Sequence, residues 1–168
     1  MNALRIGLLL FVGAAMDAPS IYAQEPKVGD VAPQFLGKTV DDTPVSVGDS
    51  SGKVTVVTFW ASWCAPCRAE MPRLEGIQKV AGSDQIRVVA VNIEKAQVFR
   101  RLAPRLSDLQ LTLTNDADGK VSAAYGRSAI PHLVLIGRDG RILNVHRGYD
   151  EKALDQIIAD VNAALATR

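Results

Sequence analysis

Two segments of this chain are mostly apolar, with no strict alternation of polar and apolar positions. Residues 53–60 (KVTVVTFW) and 86–93 (IRVVAVNI) are β-branched runs of strand length. A strand covered on one face alternates polar and apolar residues; a run without alternation is covered on both, as inside a parallel sheet. Residues 109–116 (LQLTLTND) do alternate and predict a third strand. Helical spacing lies between these runs. Leu74, Ile77 and Val80 predict a helix over 65–80 with that stripe inward and a bend at Pro72. Residues 95–106 predict a second helix, bent or ended near Pro104, and 120–126 about two turns closed by Gly126. HLVLIG and RILNVH are then joined through Asp139-Gly140, a strong hairpin signal. The last helix, 151–164, starts from Asp150 as N-cap and turns Leu154, Ile157, Ile158, Val161 and Leu165 inward. Upstream of all this, residues 32–35 (APQF) and 44–47 (PVSV) flank the turn-rich DDTP and predict a small β-hairpin.

That order predicts an α/β fold: a central mixed β-sheet flanked by helices on both faces, with an N-terminal β-hairpin extension. There is no internal repeat and no linker, so one domain is expected.

The first residues follow a different pattern. Arg5 precedes a run, 6–16, that is apolar on every side, and a weak small-residue cleavage site ends at Ala23. Spanning a bilayer takes roughly 20 apolar residues, so the run is short for an anchor. A secretory signal peptide over 1–23 and a mature domain over 24–168 are expected, with no stable membrane anchor after cleavage. No cysteine follows the run, which argues against a lipid anchor. Export to the periplasm places the cysteines in an oxidising compartment.

Composition adds little to this picture. The 168 residues are 48% hydrophobic, which suits one real core. Lys plus Arg number 19 and Asp plus Glu 18, a net charge of +1 that loss of Arg5 and Asp17 together would not change. That balance argues against nucleic acid and favours a protein partner met by shape over one met by long-range charge. A monomer is expected.

The chemistry concentrates in TFWASWCAPCRAEMP, residues 58–72, which holds both cysteines. Cys64 ends a predicted strand and opens a predicted helix. The first turn of a helix leaves N–H groups unpaired and is positive, so it favours a thiolate. Cys64 is expected below the free thiol value of about 8.5 and is the candidate attacking sulfur. Pro66 falls where a missing N–H costs nothing. Cys67, one turn on and facing inward, is the candidate resolving sulfur. A purely structural disulfide across two residues would constrain little of the unfolded chain. A closed zinc site needs four ligands, and the chain has two cysteines and two histidines, so no such metal site is expected. Copper(I), which takes fewer and softer ligands, stays open. Trp63 is either a packing residue or a flat surface on which a partner docks.

FWASWCAPCRAEMP resembles the thioredoxin fold, and within it the TlpA/ResA/CcmG type of exported thiol:disulfide oxidoreductases. VGDVAPQF, VAVNI, and IP before HLVLIGRDGRI support that resemblance, which covers about residues 27–165. It implies a cis Ile130-Pro131 bond facing the cysteines, with the backbone of Ile130 open to a partner's extended segment. Trp63, Ala65, Pro66, Ile130 and His132 are the residues it implies for partner binding. It also exposes departures. Thr58 stands where thioredoxins keep a buried aspartate. Members often place a glutamate after the second core strand, and Glu94 is the candidate acid–base group for Cys67. Glu70 reads as a helix-surface charge. His132 either points into the sheet or lies near Cys64, where it would lower the thiol pKa or join both cysteines around copper(I).

The resemblance further implies a dedicated reductant of exported protein disulfides. It would be supplied by a membrane electron donor and serve cytochrome c maturation or copper-centre assembly. No cofactor is needed beyond the Cys64–Cys67 disulfide. Two alternatives stay open: a copper(I)-binding or delivery module using Cys64, Cys67 and His132, and a general disulfide oxidant.

Overall fold

The computed structural model describes residues 25–167, so the expected signal peptide lies outside the described residues. Seven strands form one sheet: β1 (Phe35–Lys38), β2 (Pro44–Ser46), β3 (Val54–Trp60), β4 (Ile86–Asn92), β5 (Thr112–Asn115), β6 (His132–Ile136) and β7 (Ile142–Arg147). Their order is β2-β1-β5-β4-β3-β6-β7. The two unbroken apolar runs, β3 and β4, are parallel neighbours at the centre, and β4 pairs in parallel with β5. β6 and β7 form the antiparallel hairpin, and β1–β2 is the N-terminal one, joined antiparallel to β5.

Four helices cover the sheet: α1 (Ala65–Ala81), α2 (Ala96–Leu102), α3 (Lys120–Ala124) and α4 (Glu151–Ala166). A 3-10 turn, Ala103–Leu106, extends α2, with Pro104 at its start. Alternation along β3 sorts the core into two faces. Val57 and Phe59 pack with Leu36, Val121 and Tyr125, under the hairpin and α3. Val54 and Val56 pack with Leu74, Ile157 and Val161, under α1 and α4. Trp60 continues that second face into a cluster with Cys64, Cys67, Met71 and Ala90, bordered by Leu102, Leu106 and Leu109.

Two expected helix faces are corrected. Leu74 is buried, but Val80 is 92% exposed, because the inward stripe of α1 runs through Cys67, Glu70, Met71, Leu74 and Gln78 instead. Ile158 is 38% exposed, one step past Ile157 and off the line of Ile157, Val161 and Ala164. Asp150 caps α4 as expected, accepting the Ala153 N–H at 2.7 Å.

Gly37 shows how closely the hairpin is welded on. It has φ +95°, and a Cβ there would lie 2.7 Å from the Asn115 carbonyl oxygen. Thr114 adds a 2.6 Å hydrogen bond to the Leu36 carbonyl.

Candidate active site

β3 delivers the chain to the site. After Trp60 the backbone turns through Ala61–Trp63, and Cys64 becomes the N-cap of α1, its backbone extended at φ −83°, ψ 102°. Its Sγ accepts the Cys67 N–H at 3.2 Å, so a first-turn donor already points at this sulfur. Pro66 sits in that first turn, as expected. Cys64 and Cys67 are disulfide-bonded, with Cα atoms 5.3 Å apart. Cys67 is fully buried and Cys64 nearly so at 5%. Trp63 stands beside them 69% exposed, with Ala65 and Pro66 also exposed. Of the two tryptophans, Trp60 does the packing.

The Ile130-Pro131 bond is cis. Ile130 packs against the cysteine cluster, and Pro131 accepts the Gly148 N–H, which ties the loop to the end of β7.

Glu70 is the residue sequence reasoning misplaced. It is 1% exposed, not a surface charge, and its Oε2 accepts the Thr58 hydroxyl at 2.6 Å. Oε1 has no partner. Burial lifts its pKa from 4.5 to about 7, against the opposing pull of the Thr58 bond. A signal for this was available: Cys67, Glu70 and Leu74 recur at three- and four-residue steps, the spacing of one helix face.

Glu94 is half-buried and grips the loop before Cys64. Its carboxylate accepts the Ser62 N–H at 2.7 Å and the Ser62 hydroxyl at 2.9 Å. Asn92, fully buried, donates to the same carboxylate at 3.1 Å and accepts the Glu94 N–H. Asn115 donates to the Glu94 carbonyl at 2.8 Å, linking this knot to β5 and the hairpin. Ser62, Asn92 and Asn115 carry no motif of their own, which is why the sequence did not flag them.

His132 points into the opposite face of the sheet. It is fully buried, its ring 5.7 Å from Phe59 in an edge-on arrangement. Phe59 in turn lies 5.6 Å from Tyr125, in the core under α3. The sheet therefore separates His132 from the cysteine cluster. Among the described residues no three His, Cys, Asp or Glu side chains are placed to hold a metal ion, so the three-ligand copper(I) arrangement is not assembled.

The model of the Redoxin family matches residues 27–165. The chain belongs to the Redoxin family. This redoxin is 36% identical over 123 residues to the thioredoxin-like protein YneN of Bacillus subtilis, an alignment covering 71% of each chain. It is 26% identical over 150 residues to the thiol-disulfide oxidoreductase ResA of the same organism, covering 86% of this chain and 84% of ResA. A crystal structure from Chlorobium tepidum, assigned as the thiol:disulfide interchange protein DsbE, superposes with a TM-score of 0.74 at 30% identity. It covers 84% of this chain and 99% of that one. With the Cys64–Cys67 pair, these likenesses identify the redoxin as a thiol:disulfide oxidoreductase of thioredoxin type, on a thioredoxin-like fold. Proteins are the substrates such a family implies. No helix among the described residues is long and apolar enough to cross a membrane.

Proposed function

We propose that this redoxin is an exported, monomeric reductant of protein disulfides in the periplasm. The observation that carries the mechanism is Cys64 at the N-cap of α1, its Sγ facing the Cys67 N–H. In the reduced protein that donor and the helix dipole stabilise a thiolate. The Cys64 thiolate attacks one sulfur of the partner's disulfide, and the partner's other sulfur leaves and takes a proton. Cys67 then gives its proton to the Glu70 carboxylate and attacks Cys64. The Cys64–Cys67 disulfide forms, and the partner departs with both sulfurs reduced. Two electrons pass to the partner and are restored by a dithiol donor, which we take to be a membrane protein.

Glu70 is preferred to Glu94 for the proton because it is buried one helical turn from Cys67, with one oxygen free. Glu94 is already an acceptor for three donors and is given the task of positioning the loop. Ile130, beside the cis bond, offers its backbone to the partner's extended segment, and exposed Trp63 forms the opposite lip. Export is supported by Arg5 and the apolar run after it. Cytochrome c maturation and copper-centre assembly are the processes we expect to supply the disulfides.

The test is trapping. Cys67→Ser expressed in the native host should hold a mixed disulfide on Cys64, and the trapped protein names the partner. A Cys67→Ser protein that traps nothing, while Cys64→Ser behaves identically, would remove the exchange mechanism. The direction of electron flow is read from the reduction potential. A value near that of thioredoxin, about −270 mV, fits a reductant, whereas about −120 mV would make the chain an oxidant.

A further inference from the structure

The net charge of +1 conceals an uneven distribution. Within α1, α2 and the 3-10 turn after it, the only carboxylates are Glu70 and Glu75, and both are buried. Six cations stand on the same elements. Lys79 is neutralised by Glu75 at 2.9 Å and Arg100 by Asp42 at 3.1 Å. Arg68, Arg101 and Arg105 are exposed and have no ion-pair partner among the described residues, and neither has Lys95 at the N-cap of α2. Arg73, the remaining cation, lies elsewhere, on the groove between α1 and α4.

These four cations border the redox loop. Arg68 follows Cys64 by one turn, its N–H bonded to the Cys64 carbonyl at 3.2 Å, and its guanidinium reaches back to the Ser62 carbonyl at 2.6 Å. Lys95 is the residue after Glu94, whose carboxylate holds Ser62. Leu102 and Leu106 pack against the cluster that contains Cys64 and Cys67. Their chain neighbours Arg101 and Arg105 therefore stand outward on the same flank of the site.

We propose that this flank is a docking surface for an acidic polypeptide, whose disulfide lies beside Asp or Glu residues that meet Arg68, Lys95, Arg101 and Arg105. The inference rests on the disulfide-exchange reading and narrows its substrate class. Opposite charge at the border of a reactive centre raises the encounter rate and orients the partner, and salt removes the effect. It departs from the expectation, drawn from net charge, that favours a partner met by shape over one met by long-range charge.

The reduced protein would be mixed in stopped flow with two peptides of equal length sharing one internal disulfide, flanked either by Asp and Glu or by Lys. Bis(2-hydroxyethyl) disulfide serves as a neutral control. At low ionic strength the acidic peptide should react about tenfold faster than the basic one. In 1 M salt, where the screening length is about 3 Å, the two rates should converge. Arg101→Glu with Arg105→Glu, both at exposed positions and checked for fold by circular dichroism, should cancel or reverse the preference. Exchange with the neutral disulfide but equal peptide rates at every ionic strength would overturn the acidic-partner inference alone. So would a preference untouched by the double variant. Equal peptide rates with tight binding to phosphatidylglycerol vesicles would assign the flank to a membrane surface instead. Failure to exchange with any of the three disulfides would overturn the underlying redox reading.

Discussion

Glu70 and His132 are titratable side chains buried on opposite faces of the central sheet, and their pKa values move in opposite directions. On the α1 face, Glu70 accepts the Thr58 hydroxyl and is raised to about 7 by burial. On the α3 face, His132 sits edge-on to Phe59, with neither ring nitrogen in a well-formed hydrogen bond. Burial and the Arg127 charge hold it below the ordinary imidazole value, with a backbone contact to Tyr125 opposing them. Burial disfavours the charged form of both groups. For a carboxylic acid that moves titration into the neutral range, where it can exchange a proton. For an imidazole it moves titration downward and favours the neutral form. The difference teaches that the same desolvation brings only one of the two toward pH 7, and that one stands a helical turn from Cys67.

The largest effect should come from Glu70→Gln. With ionised Glu70 as the proposed base, the rate at which Cys67 resolves a mixed disulfide should rise through a pH of about 7 in the native protein and level off above it. The variant should lose that rise and be slower by about 100-fold at pH 8, the low end of what general base catalysis supplies. Single-turnover decay of a preformed mixed disulfide, followed from pH 5 to 9, measures it. A rise at pH 7 that survives in the variant would give the proton to another group. Stability should change with the opposite sign. Because the folded pKa is raised, stability is fully present below about 4.5, falls as pH rises toward 7, and is constant above. The shift corresponds to about 3 kcal/mol, and Glu70→Gln should recover much of it in thermal unfolding above pH 7.

His132→Leu should act on stability instead. A buried polar group without a good partner costs about 1–3 kcal/mol, so the variant should be more stable by about 1–2 kcal/mol in urea titration at pH 7. The folded pKa is lowered, so the native protein should keep its full stability above the unfolded imidazole value of about 6.5 and lose stability as pH falls from there through the folded value. Leucine removes that acid-side slope. A change in disulfide-exchange rate as large as that of Glu70→Gln would contradict the placement of His132 behind the sheet.

The contrast between these two residues also measures what the sequence could reveal. The strands were legible because a doubly covered β3 and β4 leave an unbroken apolar run, and the strand-to-helix position of Cys64 followed from its place after β3. The cis bond came from resemblance alone. Glu70 was missed because a charged residue was assigned to the surface by type, although its phase with Cys67 and Leu74 placed it inward. Val80 was the reverse error: successive three-residue steps from Leu74 through Ile77 drift round the helix and carry Val80 off the line of Cys67 and Leu74. The orientation of His132 could not be decided from its own position, since a strand has two covered faces here. It took the pairing of His132 with Phe59 to show which face it shares.

Thr58→Val should have a smaller effect than either. The hydroxyl donates to Glu70 and favours its ionised form, so its loss leaves burial unopposed and pushes the Glu70 pKa further up. A hydrogen bond to a charged group contributes about 1.5–3 kcal/mol, part of which valine recovers by packing. The resolution rate at pH 7 should fall about fivefold, with the pH profile displaced upward and the plateau retained. A profile that keeps its midpoint would mean that Thr58 holds Glu70 in place without tuning it.

The smallest effect should come from the loop just before Cys64. Ser62→Ala removes the hydroxyl bond to Glu94 at 2.9 Å but leaves the Ser62 N–H bond at 2.7 Å. One hydroxyl bond lost at a half-buried site, with the N–H bond kept, suggests a loss of about 0.5 kcal/mol in loop order, or about a twofold slower attack by Cys64. Resolution by Cys67 should be almost unaffected, because the base for that step is on α1. Glu94→Gln separates positioning from proton transfer at the same residue. An amide still accepts one Ser62 donor, so attack should slow by only a few-fold and the rise at pH 7 should stay where it is. Were Glu94 the acid–base group for Cys67, that rise would shift or vanish in Glu94→Gln and persist in Glu70→Gln, the reverse of the pattern expected from their burial.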